Sequence, residues 1–316
     1  MTSQASLDGK LVVLIGGSGF LGTHVAQALL ARGARLRVAS RHPERAFRLR
    51  PLANLGQIQF ARVDVTRPAS VAAAMAGADA AVYLVGAFKG DLQALQADGA
   101  GIAAQAAAAA GAQAFAYVSA IGADADSDIS YARSKADGER QVLGAFPGAT
   151  ILRPSTLFGE DDKFINLFAG LIGALPVLPV FGAQAKLQPL WVDDAAEAIA
   201  GALADPAQHG GKTYEIAGPE PITMGALNRM IAAGQQRSPL FIELPDGASA
   251  LFAALPLTPM NRDQWHLLKA GSTPSGKYPG LKAFGIVPKP VELFLDRWMV
   301  RFRKHGRFGV KISAAR

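Results

Sequence analysis

Short runs of consecutive apolar residues alternate, along the first half of the chain, with stretches whose apolar positions recur at helical spacing. Lys10 to Ile15 (KLVVLI) is the first run, followed by the turn Gly16-Gly17-Ser18-Gly19-Phe20-Leu21-Gly22 and a helix-period stretch from Thr23 to Ala31. Further strand-type runs lie at Arg35 to Ser40, Ile58 to Val63, Ala80 to Val85, Phe115 to Ser119 and Thr150 to Leu152. Strands alternating with helices run parallel and are joined by right-handed crossovers, so the pattern predicts an α/β fold with a doubly wound parallel sheet. The alanine-rich stretch Leu92 to Ala110 is the crossover before the fifth strand, because alanine is the strongest helix former and its small side chain permits close packing. Tyr131 to Ala145 is a further helix. Beyond Pro154, the prolines Pro176, Pro179, Pro189, Pro206, Pro219 and Pro221 punctuate shorter elements, which predicts a smaller C-terminal lobe interleaved with the last sheet strands. The resulting division is residues 1–155, residues 156–296 and a basic tail, 297–316.

Composition narrows the chemistry. With hydrophobic residues at 50%, charged residues at 18% and a mean hydropathy of +0.19, the chain has ample material for a core. It contains no cysteine, which excludes disulfides and thiolate catalysis, and its histidines (His24, His42, His209, His266, His305) form no ligand-spaced pair, so no metal site is expected. MTSQASLDG shows neither a signal nor a transit pattern. The uncharged stretch Phe164 to Ala185 is long enough to span a membrane, but Asn166, Pro176 and Pro179 argue against it; Phe164 to Phe181 suits an apolar ligand-facing cover or buried core equally.

Gly16, Gly19 and Gly22 stand between a strand and a helix, where backbone must turn tightly and a helix N-terminus can meet a pyrophosphate. Gly16, Ser18, Gly19, Phe20, Leu21 and Gly22 are therefore the candidate phosphate-binding residues of a Rossmann domain. A domain of this type selective for NAD carries an acid at the end of its second strand. Here Ser40-Arg41 stands there, within a segment from Arg32 to Arg50 whose one acid is Glu44. Arg41 and Ser40 are placed to meet a 2′-phosphate, which favours NADP(H) over NAD(H), against the plainer reading of a solvated basic face. Asp64 and Val65, after the third strand, are candidates for the adenine side, although a turn-forming aspartate fits Asp64 equally.

Tyr131 and Lys135, spaced YxxxK, share one helical face, where the lysine can lower the tyrosine pKa and reach a nicotinamide ribose. Ser119 ends the fifth strand, near where a hydroxyl would polarise a substrate carbonyl. If the register instead puts Ala120 there, an oxyanion partner is lost, a loss of about two to three orders of magnitude in rate. Arg153-Pro154-Ser155 is expected to border the nicotinamide.

The glycine turn, Ser119, Tyr131/Lys135 and Arg153-Pro154-Ser155 with Phe158-Gly159 resemble the extended short-chain dehydrogenase/reductases over the first two-thirds of the chain. With YARSKADGERQVLGAFPGATILRPSTLFGEDDKFIN, LQPLWVDDAAEAIAGAL, GGKTYEIAGPEPIT and MNRDQWHLLKAG, the chain resembles the large nucleotide-binding accessory subunit family of respiratory complex I and its bacterial relatives. That resemblance implies a bound NADP(H) with little turnover, complex I subunits as partners, and a peripheral place on the cytoplasmic or matrix side of the inner membrane. The alternative it leaves open is an active NADP(H)-dependent reductase or epimerase using Tyr131, Lys135 and Ser119.

The tail adds one expectation. Arg297, Arg301, Arg303, Lys304, Arg307, Lys311 and Arg316 have no acid among them, while Phe294, Trp298, Met299, Phe302 and Phe308 accompany them. Leu293 to Phe302 predicts a helix with apolar and basic faces, suited to an anionic membrane surface or an acidic partner. The plain alternative packs Trp298 and Phe302 on the second lobe. The pI of about 9.7 alone would suggest nucleic acid, but no aromatic stacking platform is interleaved with the charges, so no nucleic-acid partner is expected.

Overall fold

The computed structural model describes residues 6–245, 247 and 262–304. Seven of its strands, β1 (Leu11–Ile15), β2 (Arg35–Ser40), β3 (Ile58–Arg62), β4 (Ala80–Tyr83), β5 (Ala114–Val118), β6 (Thr150–Pro154) and, later in the chain, β11 (Thr213–Ile216), form one sheet in the order β11-β6-β5-β4-β1-β2-β3. Every pairing in it is parallel. The central strands LVVLI, AAVY and AFAYV are buried along their whole length, as expected of strands covered on both faces.

Helix α1 (Phe20–Leu30) packs against α6 (Val192–Ala204), whereas α2 (Pro68–Met75), α3 (Gly99–Ala109) and α4 (Ser130–Ala145) pack side by side. Alanines 100, 103, 104 and 107 of α3 share a core with Val13, Ile15, Tyr83 and Tyr117. The alanines are what permit this approach. Just before α3, Gln93–Asp98 takes a π-helical turn, and the buried Tyr83 and Tyr117 hydroxyls donate to the Leu95 and Gln96 carbonyls there. The order of strands reverses between β1 and β4, so the crevice beyond their C-terminal ends is the topological switch point at which ligands bind in such sheets.

The chain divides into two compact units, with the first cut after Pro154 and several later crossings of the chain between them. The first unit takes its described residues from Met1–Pro154, Val192–Ile216 and Pro274–Val287, and the second from Ser155–Trp191, Ala217–Thr273 and Pro288–Arg316. The strand β11 and the segment Pro274–Val287 thus return to the sheet unit, the former as one of the last sheet strands with which the second lobe was expected to interleave.

In the second unit, β7 (Leu157–Phe158) pairs with β10 (Leu190–Trp191), β8 (Val177–Val180) with β13 (Leu240–Glu243), and β9 (Lys186–Leu187) with β12 (Ile222–Thr223). Helices α5 (Phe164–Ala174), α8 (Met224–Gly234), Arg262–Ala270 and Glu292–Trp298 complete it. The uncharged stretch after Phe164 is helix α5, then strand β8, with Ile165, Ala169, Ile172, Leu178 and Val180 in the core. Among the described residues no helix is long and apolar enough to cross a membrane.

The expected surface helix at Leu293 to Phe302 needs correction. Leu295, Trp298 and Met299 are buried, and Trp298 stacks on Trp191 and Phe294 at centroid separations of 5.2 and 5.3 Å. Leu295, Trp298 and Met299 are thus part of the unit's own core, while Leu293 stays exposed. Arg307, Phe308, Lys311 and Arg316 lie outside the described residues.

Candidate functional site

The turn after β1 contains glycines present for different reasons. Gly16 has φ +86°, and a Cβ there would lie 3.1 Å from the Val85 nitrogen. At Gly22 a Cβ would stand 2.6 Å from the Cα of Gly17, so α1 packs directly on the turn. Gly19 is exposed, its φ of −79° suits any residue, and a Cβ would meet Gly16 O at 3.4 Å and nothing nearer among the described residues. The fold does not need glycine at 19; close approach of a ligand to the backbone there would.

Gly19 is also the N-cap of α1, whose first turn has no capping side chain and no acid. The helix therefore presents its N–H donors and positive dipole end at the switch point, which fits a pyrophosphate. Half-buried Ser18 lies beside it, and the Phe20 ring packs edge-on against His24 at 5.4 Å. Phe20 and half-buried Leu21 thus contribute backbone rather than side chain.

At the end of β2 the Ser40 hydroxyl oxygen is buried without a hydrogen-bond partner. Arg41 is exposed and makes no hydrogen bond or ion pair among the described residues. Several of the arginines around it are engaged: Arg32 pairs with Glu197 at 2.6 Å, Arg37 donates to Ala74 O and Ala76 O, Arg48 donates to Thr23 Oγ1 at 2.6 Å, and Arg50 covers the Phe47 ring. An orphaned hydroxyl beside an uncommitted guanidinium is the donor set a 2′-phosphate completes.

Of the two readings open for Asp64, the turn-forming one matches its hydrogen bonds. Asp64 Oδ1 accepts from the Thr66 N–H at 3.1 Å and the Thr66 hydroxyl at 2.8 Å, and these bonds hold its carboxyl below the usual range. It closes a turn, with Arg67 at 3.6 Å. Val65 is buried in the sheet core, so its side chain offers no contact surface.

Tyr131 and Lys135 lie on the first turns of α4 as the spacing requires. Lys135 is 2% exposed, and its Nζ donates to Val118 O at 2.9 Å and Val85 O at 3.2 Å, the carbonyls beyond β5 and β4. Burial pushes its pKa down to about 7, with nearby Glu139 opposing. Burial pushes Tyr131 up to about 12, and Phe88 stacks on its ring at 4.8 Å and 17°. The expected lowering of the tyrosine by the lysine is therefore not found. The Nζ sits 5.9 Å from the phenol ring centroid, is held by two carbonyls, and desolvation outweighs what it could supply. Ser119 is buried, its N–H donates to Leu152 O at 2.7 Å, and its hydroxyl has no partner. The hydroxyl at the end of β5 is thus Ser119's, next to the carbonyl that Lys135 holds.

A stability prediction follows from Lys135. Its folded pKa lies below the unfolded value of 10.5, so the unfolded chain binds the extra proton between the two values and stability rises with pH across that window. Wild-type chain is expected to melt progressively higher from about pH 7 toward pH 10, and Lys135→Met is expected to lose that rise. Parallel slopes in thermal melts of the two proteins would contradict it.

Arg153 and Ser155, expected to face the nicotinamide, are occupied elsewhere. Arg153 forms a bidentate pair with Glu139 at 2.8 and 2.6 Å, approaches Glu215 Oε1 at 3.9 Å, and lies over the Tyr278 ring at 4.9 Å. Glu215 Oε2 accepts from the Ser275 N–H and hydroxyl. The cluster ties α4, β6, β11 and the returning segment together. Pro154 ends β6 and accepts from the Ile121 N–H, and the Ser155 hydroxyl donates to Gln188 O within the second unit. Asp193, in the first turn of α6, pairs with His24 at 2.5 Å.

Sequence reasoning missed Phe88, Gln96, Glu139 and Glu215. Fully buried Gln96 donates to Ala87 O and Ser134 Oγ, fixing the loop that carries Phe88 onto the helix that carries Tyr131. Gln96 is one of three glutamines, with Gln93 and Gln105, in the alanine-rich stretch, and spacing alone does not single it out.

Residues 16–165 match the NAD(P)H-binding family model. The first unit is thus an NAD(P)H-binding domain, and the residues at the switch point fit that group. A solved NADPH-dependent quinone oxidoreductase of Escherichia coli, complexed with NADPH, has the same fold: TM-score 0.71 at 21% identity, covering 90% of this chain and 99% of the other. A ceramide reductase of Caulobacter vibrioides is 31% identical over 191 residues, 59% of this chain and 58% of the relative. The mitochondrial NADH dehydrogenase (ubiquinone) 1 alpha subcomplex subunit 9 of Mus musculus is 30% identical over 301 residues, 92% of this chain and 80% of the relative. With that identity over that span, the chain belongs to the family of the NADH dehydrogenase (ubiquinone) 1 alpha subcomplex subunit 9.

Proposed function

We propose that this chain is an NADP(H)-holding, reductase-like accessory subunit of respiratory complex I, peripheral on the inner membrane, whose nucleotide is structural or regulatory. The state of the Tyr131/Lys135 pair carries the low-turnover half of this reading. Burial raises the tyrosine's pKa and makes it a weaker acid, Phe88 stacks on its ring, and the lysine is bonded to backbone carbonyls. Likeness to a subunit bearing the complex's name supports the partner.

A bound reduced nicotinamide nucleotide would supply hydride. The chain's own part is to seat the pyrophosphate on the Gly16–Gly22 turn, to meet the 2′-phosphate with Arg41 and Ser40, and to keep a proton on the Tyr131 oxygen. Ser119 Oγ remains a donor for a carbonyl.

Full-length chain bearing an affinity tag, recovered from detergent-solubilised membranes, is expected to bring complex I subunits with it in fixed ratio. Removing Arg303 to Arg316 is expected to weaken that association, and wild-type association is expected to fall as salt rises. Recovery free of complex I subunits at low salt would overturn the partner assignment. Unchanged association after the deletion would remove the tail from it.

A second reading, an active NADP(H)-dependent reductase, is favoured by the identity to the ceramide reductase together with an unpartnered Ser119 hydroxyl near Lys135. Rapid NADPH oxidation with a carbonyl panel that includes ceramide-class lipids, lost in Tyr131→Phe, would replace the first reading with this one.

A further inference from the structure

We propose that the outer edge of β3 and the groove beside it form a docking site for an extended, acidic segment of a partner protein, added to the sheet as an eighth strand. β3 is the last strand of the sheet on its side. Gln57 O accepts from the Leu36 N–H at 2.7 Å and the Val63 N–H donates to Ser40 O at 2.9 Å, so the odd-numbered residues of this segment face β2. In a parallel ladder the alternate residues, Ile58, Phe60 and Arg62, then turn their N–H and C=O groups outward, a ready template for another strand. Edges of this kind recruit peptides through main-chain hydrogen bonds, with side pockets setting specificity.

A pocket is present beside this edge. A groove of about 760 Å³ is lined by Phe47, Arg50, Leu55, Ile58 and Phe60, among others. Phe47 and Phe60 meet edge-to-face at 5.1 Å, and the Arg50 guanidinium lies 3.9 Å above the Phe47 ring. Phe47, Leu52 and Leu55 are exposed apolar side chains, 40%, 50% and fully open to solvent in turn. Nothing in the 3₁₀ stretch Pro43–Leu52 requires this apolar face for the fold's own core beyond Ala46 and Leu49.

Charge selects the occupant. From Arg32 to Arg62 the one acid is Glu44, and it pairs with His42 at 3.2 Å. Exposed Arg50 lines the groove and exposed Arg62 ends the edge strand, both without a carboxylate partner among the described residues. The complement is a strand whose apolar side chains enter the groove while its carboxylates meet these arginines. The groove lies along the N-terminal half of β3, whereas Ser40 and Arg41 sit at the C-terminal end of β2 beside Arg62, so Arg50 and Leu55 in the groove carry the test apart from the nucleotide.

The test titrates the full chain with three synthetic peptides. One alternates Glu with Val around a central Phe, one replaces its Glu by Lys, and one carries Pro at its centre. The Glu peptide is expected to bind, to bind about tenfold more weakly to Arg50→Glu and to Leu55→Glu, and to slow amide exchange at Ile58, Phe60 and Arg62. NADPH retention in both variants, unchanged from wild type, certifies their fold. Equal binding of the Lys or Pro peptide, or wild-type affinity in both variants, would overturn the proposal. So would a concentration-dependent dimer abolished by the same variants, which would assign the groove to a second copy of this chain.

Discussion

Gly19→Val is expected to abolish nucleotide retention while leaving the melting temperature within a few degrees of wild type. The backbone at residue 19 has an extended φ that valine adopts readily, and a Cβ meets Gly16 O at 3.4 Å and no other described atom within contact range. The added methyls instead project over the uncapped N-terminus of α1, the place where a pyrophosphate must touch backbone. Loss of that approach removes several charge-assisted bonds together, an effect of at least about a hundredfold in affinity. Gly22→Val is the control with the opposite signature, since its Cβ would stand 2.6 Å from the Gly17 Cα and the helix could not pack. Nucleotide affinity close to wild type in a folded Gly19→Val protein, measured by calorimetric titration, would show that the glycine turn is not the phosphate site.

Arg153→Ala is expected to be among the most destabilising single substitutions, by about 3–5 kcal/mol, because it strips the counter-charge from two buried carboxylates. Glu139 and Glu215 side chains are 10% and 3% exposed. Glu215 keeps its bonds from Ser275, so most of the loss falls on Glu139, whose two oxygens both accept from the arginine. Replacing both members, Arg153→Met with Glu139→Met, is expected to recover much of the stability, since an apolar pair leaves no buried charge unmatched. Denaturant unfolding of the single and double variants checks this. A single variant of wild-type stability but weakened nucleotide affinity would instead return Arg153 to the cofactor site.

That contrast shows what could be read from the sequence and what could not. The glycine turn, the strands around it, Ser40-Arg41 and Tyr131/Lys135 are local patterns, fixed by spacing within one strand, turn or helix; the turn follows β1, Ser40 ends β2, and Lys135 bonds to Val85 O after β4 and Val118 O at the end of β5. Arg153, Asp64, Val65 and Ser155 carry side chains that a nucleotide site could equally use, and their partners decide the matter. Glu215, Ser275 and Tyr278 lie far along the chain from Arg153, and they meet it because Thr213–Ile216 and Pro274–Val287 return to the sheet unit. The tyrosine's protonation was misjudged for a related reason. Helical spacing brings Lys135 to the right face, but only the burial of both groups and the carbonyls of Val85 and Val118 determine where its proton donors point.

The central claim, a chain built to hold NADP(H), is tested most directly by calorimetric titration of nucleotide-free, full-length protein with NADPH and with NADH. The free Arg41 guanidinium and the orphaned Ser40 hydroxyl predict NADPH at least about tenfold tighter, a difference of about 1.4 kcal/mol that one charge-assisted contact supplies. Equal affinities, or tighter binding of NADH, would contradict it.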